Sequence, residues 1–143
     1  MRITLITILM KRNNNKNIEP IQNVLGYTPH EGQRIIHDAI NNSDDKYYVI
    51  SNGRQWGKTL MCINQLLYFC LNNQHANVYY VAPTFKLSRN VFYKIYKVVA
   101  DSGLIKKKDL TNLQLEFITG SVLSFHSAER PDTLRGATLT HCD

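Results

Sequence analysis

A chain of 143 residues, 43% hydrophobic and 20% charged, has the size and composition of one domain with a buried core, which excludes a disordered or fibrous polypeptide. Its three cysteines, Cys62, Cys70 and Cys142, show no metal-ligand spacing and no disulfide framework, which fits a reducing compartment. Seventeen Lys and Arg against eleven Asp and Glu leave a formal charge of +6, a balance suited to a polyanionic partner such as a nucleotide or a nucleic acid.

The apolar run at residues 3–10 is too short to span a bilayer as a helix, and no small-residue cleavage site follows it. It reads as a stray strand or an irregular leader, and no membrane association is expected. The Asn- and Lys-rich residues 11–17 have nothing apolar to bury, so residues 1–23 are taken as a lead-in and residues 24–143 as the domain. Thr28, Pro29 and Glu31 predict a helix start, with Thr28 as the cap and Pro29 in the first turn. Ile35, Ile36, Ala39 and Ile40 supply its apolar face, and the turn formers at 41–45 close it.

Residues 47–50 (Tyr-Tyr-Val-Ile) predict a buried strand. A glycine-bearing loop follows at once, and then a helix carrying Leu60, Met61, Cys62, Ile63, Leu66, Leu67 and Phe69, in which Cys62 and Cys70 are buried. Residues 78–82 form a second strand stopped by Pro83, and Val91, Ile95, Val98 and Val99 mark a helix over roughly residues 87–100. Leu113, Leu115 and Phe117 alternate with polar neighbours, as do Val122, Ser124 and His126 beyond a turn at 119–121, predicting a hairpin. Lys106, Lys107 and Lys108 read as a solvated basic turn, with contact to DNA phosphates the alternative. His37, His75, His126 and His141 share no metal spacing. Alternating strands and helices imply an α/β fold: a mostly parallel sheet with helices on both faces, binding ligands beyond the carboxyl ends of its strands.

The loop between the first of these strands and its helix is Gly53-Arg54-Gln55-Trp56-Gly57-Lys58-Thr59. Glycine lets backbone approach a phosphate, helix-start amides favour an anion, a lysine reaches the outer phosphates and a hydroxyl binds the metal. Gly57, Lys58 and Thr59 provide these parts in the required order. The usual first glycine of the phosphate-loop pattern falls at Asn52, with Gly53 one place later, and Asn tolerates the left-handed turn that position is expected to need. Arg54 is either a surface arginine or a cation able to reach a γ-phosphate, and Trp56 a packing residue beside the loop.

These residues resemble a known family, the large terminase subunits of tailed bacteriophages. The loop is similar to their variant Walker A with an arginine at Arg54; residues 27–33 (Tyr-Thr-Pro-His-Glu-Gly-Gln) resemble their adenine motif; residues 81–84 (Val-Ala-Pro-Thr) resemble a strand end they share with superfamily-two helicases. Residues 119–121, Phe125, 127–129 and 134–136 resemble the segment before their Walker B strand. The resemblance implies a RecA-like, doubly wound P-loop ATPase that uses ATP and Mg²⁺. Gln33 reads the adenine edge and Tyr27 stacks on the base; Lys58 contacts the β- and γ-phosphates, Thr59 helps hold Mg²⁺, and Arg54 is the catalytic or sensing arginine. It further implies double-stranded DNA, a portal protein, a small terminase subunit and a homo-oligomeric ring on the capsid as partners, in the host cytoplasm at the assembling procapsid. Asp143 stands where a Walker B aspartate would begin to act on the metal, or just before it, since the interval from Gly136 is shorter than the family's. With no glutamate after it and no nuclease carboxylates, these residues are expected to be a fragment that binds nucleotide but turns over little alone. A helicase-like translocase and a non-catalytic nucleotide-binding module are the rival readings.

Overall fold

The computed structural model describes residues 4–10, 26–45, 47–134 and 141–142. Seven strands, β1 (Thr4–Met10), β2 (Tyr47–Asn52), β3 (Asn77–Ala82), β4 (Ile105–Asp109), β5 (Gln114–Phe117), β6 (Val122–Ser127) and β7 (His141–Cys142), form one sheet in the order β2-β1-β7-β3-β6-β5-β4. Three helices, α1 (Glu31–Asn42), α2 (Lys58–Asn72) and α3 (Phe85–Val99), accompany it. β3 lies parallel to both β6 and β7, whereas β1 is antiparallel to β2 and to β7. β2, β7, β3 and β6 therefore run one way, and their carboxyl ends share one edge. With β5 antiparallel to β4 and β6, the sheet is mixed rather than mostly parallel.

The register places Val78, Tyr80, Leu115, Leu123 and Phe125 on one face, and strand alternation adds Tyr48 and Ile50. That face carries the core. Leu66, Leu67 and Cys70 of α2 and Phe92, Ile95 and Val99 of α3 pack with Val78, Leu123 and Phe125, and the Phe92 ring meets Phe125 edge-on at 5.3 Å. Ile40 of α1 joins Ile50, Met61 and Cys62 in a second cluster. Among the described residues the helices thus gather on one face, where the sequence pointed to both. The reason is topological. From β2 to β3 to β6 the chain steps across the sheet in a single direction, and successive right-handed crossovers taken in one direction stack on one side. Tyr47 and Val49, on the opposite face, are accordingly exposed, and β2 is half-buried rather than buried.

Local departures have equally local causes. The cap of α1 is His30 rather than Thr28: its ring Nδ1 accepts from the Gln33 amide while Gln33 Oε1 accepts from the His30 amide, a reciprocal capping box. The buried stripe of α1 is Gln33, His37 and Ile40, with Ile35 63% exposed, because the two polar residues find partners inside. In β6 the core takes Leu123 and Phe125, the alternate set to Val122, Ser124 and His126. In α3 the core takes Phe92 and leaves Val98 outside. The basic residues 106–108 lie in β4, an edge strand, with Lys106 paired to Glu116 at 3.0 Å and Lys108 donating to Tyr96 Oη at 2.7 Å.

The turn between β5 and β6 is stitched to the far end of α2. Thr119 Oγ1 donates to the Cys70 carbonyl at 2.7 Å and Ser121 Oγ to the Asn73 carbonyl at 2.5 Å, while Ser121 Oγ accepts from the Ala76 amide. These bonds satisfy carbonyls that a helix end leaves open. Ser121 is fully buried, so Ser121→Ala strands two backbone groups and is expected to cost about 1–3 kcal/mol, read as a lowered urea midpoint at unchanged slope.

Candidate nucleotide site

β2 ends at Asn52, and the chain turns through residues 53–57 before α2 begins at Lys58. Gly57 is the helix cap, at φ 90° and ψ 23°, a left-handed conformation that glycine adopts without steric cost. No side chain caps this helix end, so the amides of its first turn face the loop. The other left-handed residue of the loop is Gln55, at φ 61°. Neither Asn52 nor Gly53 has positive φ, so the displaced glycine of the motif costs the turn nothing.

Lys58 is nearly buried and turns back over the loop, donating from Nζ to the carbonyls of Asn52 and Gly53, each at 2.7 Å. Its ammonium group thus sits within the ring of backbone that follows β2. Thr59 and Arg54 are exposed, one on the first turn of α2 and the other on the loop. Trp56 is half-buried against the cluster of Ile40, Ile50, Met61 and Cys62. The His30 ring meets it edge-on at 4.7 Å, and His30 Nε2 lies 3.1 Å from the Trp56 carbonyl. Since Nδ1 of His30 accepts from the Gln33 amide, Nε2 bears the proton and donates.

Gln33 closes the site from α1. Its Nε2 donates to the carbonyls of Trp56 at 3.4 Å and Gly57 at 3.3 Å, and a Cβ built on Gly57 would stand 2.6 Å from that nitrogen. The start of α1 and the loop after β2 are therefore one assembly. Both Nε2 bonds are at the long end of the hydrogen-bond range, while Oε1, bonded once, retains a lone pair. Tyr27 lies elsewhere than expected: it is 6% exposed, its hydroxyl bonded to His37 Nε2 at 3.0 Å, and burial first, then the Cys62 thiol, pushes its pKa up to about 12. A ring so enclosed offers no face to a base.

The segment after β6 returns to the carboxyl end of β3: the Ala128 amide donates to the Ala82 carbonyl, and Glu129 Oε2 accepts from the Phe85 amide at the start of α3. Thr84 caps α3 with its side chain. The His126 ring lies tilted against Tyr79, centroids 4.3 Å apart, and is held below the usual histidine pKa by burial. Asp143, Arg135 and Gly136 lie outside the described residues. Among those described, no cluster of three His, Cys, Asp or Glu residues could hold a metal, and no helix is long and apolar enough to cross a membrane. Sequence reasoning missed His30, which caps α1 and bonds Gln33, and the buried pair His37 and Gln65; the signal for α1 was two polar side chains at i and i+4, Gln33 and His37, on its inner stripe.

No family model matches the chain, and no curated protein does. Among solved structures, its fold is similar to the large terminase ATPase domain of Thermus phage P74-26, with a TM-score of 0.63 and 22% identity over 86% of this chain and 56% of that one. A mutant form of the same domain matches at a TM-score of 0.62 and 21% identity, over 85% and 56%. The chain spans little more than half the length of the domains it matches, and at such identity the likeness is one of fold.

Proposed function

We propose that this chain is the ATP-binding part of a viral DNA-packaging motor of the RecA-like P-loop type. The observation that carries the reading is the loop after β2: a left-handed Gly57 opens an uncapped helix start, and Lys58 is folded into the loop. Helix-start amides and an ammonium group held at one point suit a triphosphate. The likeness in fold to a terminase ATPase domain supports the motor over other uses of such a loop.

In this reading the loop amides and Lys58 would hold the β- and γ-phosphates, the exposed Thr59 hydroxyl would help hold Mg²⁺, and Arg54 would be placed to meet charge on the γ-phosphate. When bound there, Mg²⁺ would supply positive charge against the outer phosphates. Asp143 is assigned to the metal as the Walker B acid. Gln33 meets the adenine edge with the free lone pair of Oε1 while its Nε2 stays on the loop carbonyls of Trp56 and Gly57. Double-stranded DNA is the moved substrate, a portal protein, a small terminase subunit and further copies of the chain in a ring on the capsid are the partners, and the procapsid in the host cytoplasm is the place of work.

Trp56 is the single tryptophan of the chain and reports on this loop directly. Its emission is expected to change saturably as a non-hydrolysable ATP analogue is added with Mg²⁺. Gln33→Ala should bind ATP and GTP analogues alike, having lost roughly tenfold of adenine preference, about 1.4 kcal/mol. A wild-type chain with no saturable response would sink the assignment of function, and an unchanged preference in the variant would remove Gln33 from base recognition.

A further inference from the structure

Behind the loop lies a buried polar set that nucleotide chemistry does not itself require. His37 is 4% exposed and stands four residues beyond Gln33 on the same face of α1, about 6 Å along the axis. Its Nδ1 lies 2.6 Å from Oε1 of Gln65, a fully buried residue of α2, and its Nε2 lies 3.0 Å from the Tyr27 hydroxyl. Gln65 Nε2 in turn donates to Asn41 Oδ1 at 2.9 Å.

With Gln65 Nε2 turned to Asn41 Oδ1, donors and acceptors pair consistently along the set. Since the nitrogen of Gln65 donates to Asn41, its oxygen must accept, so His37 carries its proton on Nδ1. Nε2 is then bare and accepts from the Tyr27 hydroxyl. The result is a one-way chain, Tyr27 to His37 to Gln65 to Asn41, in which no two donors meet. Apolar packing alone would let α1 slide against α2 at little cost, whereas a chain of directed bonds allows one register.

We propose that His37 is a positioning residue of the nucleotide site: by locking α1 to α2 it holds Gln33 against the carbonyls of Trp56 and Gly57, and so couples base recognition to the phosphate loop. The inference rests on the reading of that loop as a nucleotide site. Tyr27 belongs to this lock rather than to the base. α2 starts from the loop and carries Gln65, and α1 carries Gln33 and His37, so each helix presents one residue to the site and one to the lock.

The test uses the whole chain with three variants, His37→Leu, His37→Asn and Tyr27→Phe, and reads both Trp56 emission and the affinities of ATP and GTP analogues. His37→Leu is expected to shift Trp56 emission to the red before any nucleotide is added, and to lose most of the tenfold adenine preference. Combined with Gln33→Ala it should bind no worse than Gln33→Ala alone, because both changes act through one contact. His37→Asn, which can return an N–H to Gln65, should restore the emission and the preference. Tyr27→Phe, the mildest change, should cause a smaller loss in the same direction, and serves if His37→Leu does not fold. A His37→Leu chain with lowered melting temperature but wild-type emission and base preference would overturn the proposal, as would additive losses in the double variant. Failure of the wild type to bind either analogue would strike the functional reading, and the emission comparison alone would then decide whether the lock holds.

Discussion

Lys58→Ala is expected to lower the affinity for a magnesium ATP analogue by at least about a hundredfold, roughly 2.7 kcal/mol. The magnitude follows from what the side chain does at present. Its ammonium makes two short bonds to the carbonyls of Asn52 and Gly53, and charge-assisted bonds of this kind are each worth roughly 1.5–3 kcal/mol. A triphosphate offers the same cation stronger acceptors at the same place. Removing it deletes those contacts and leaves two loop carbonyls facing the incoming anion. Stability should fall as well, since both bonds are lost from the free chain. The two effects separate by measuring Trp56-detected titrations beside a urea midpoint. Affinity within threefold of wild type would mean that the ammonium does not reach the phosphates, and the site would have to be sought elsewhere.

Gly57→Ala is expected to damage the loop and the contact with Gln33 together. Two costs fall on one atom. The backbone there is at φ 90°, where a Cβ carries a penalty of about 1–2 kcal/mol, and that Cβ would stand 2.6 Å from Gln33 Nε2. The neighbour must give way, so the base motif is pushed off the loop as the loop itself is strained. A loss of roughly 1–3 kcal/mol in stability, together with loss of the adenine preference, is the expected outcome. Gly53→Ala supplies the control, because its φ is not positive and a Cβ there meets nothing within 4 Å. It should be nearly silent. If the two substitutions prove equally mild, the tight approach of Gln33 to the loop is not a feature of the molecule in solution.

The strand, loop and helix around residues 47–72 were legible in the sequence because each carries its own local signal: β-branched and aromatic residues, then Gly57 and Lys58, then apolar residues at helical spacing. Hydrophobic patterning failed where polar side chains are buried in pairs. Ile35, Ile36, Ala39 and Ile40 give α1 an apolar face in the sequence, and Ile36 and Ile40 do pack inward, but nothing there says that Gln33 and His37 find Trp56, Gly57, Gln65 and Tyr27 as partners. Tyr27 on the base is an implication of the resemblance, whereas its hydroxyl bonds His37 in the fold. The cap of α1 was missed because histidine is not among the preferred capping residues, and only the reciprocal bond from Gln33 shows it. β4 was missed because an edge strand built of lysines resembles a solvated turn. That both helix crossovers stack on one face depends on strand order, which no local pattern encodes.

The two ends of α2 differ in a way that bears on how the helix melts. Its last turns are tied down by Thr119, Ser121 and the side chains of Asn72 and Asn73, whereas its first turn starts from a glycine with no capping side chain. Breathing of the backbone is therefore confined to the Lys58 end, and amide exchange should run fastest there and slow progressively toward Asn72. An anion seated on that first turn quenches the fraying, so ligand occupancy is written into a local opening equilibrium that exchange measurements on a few amides can follow.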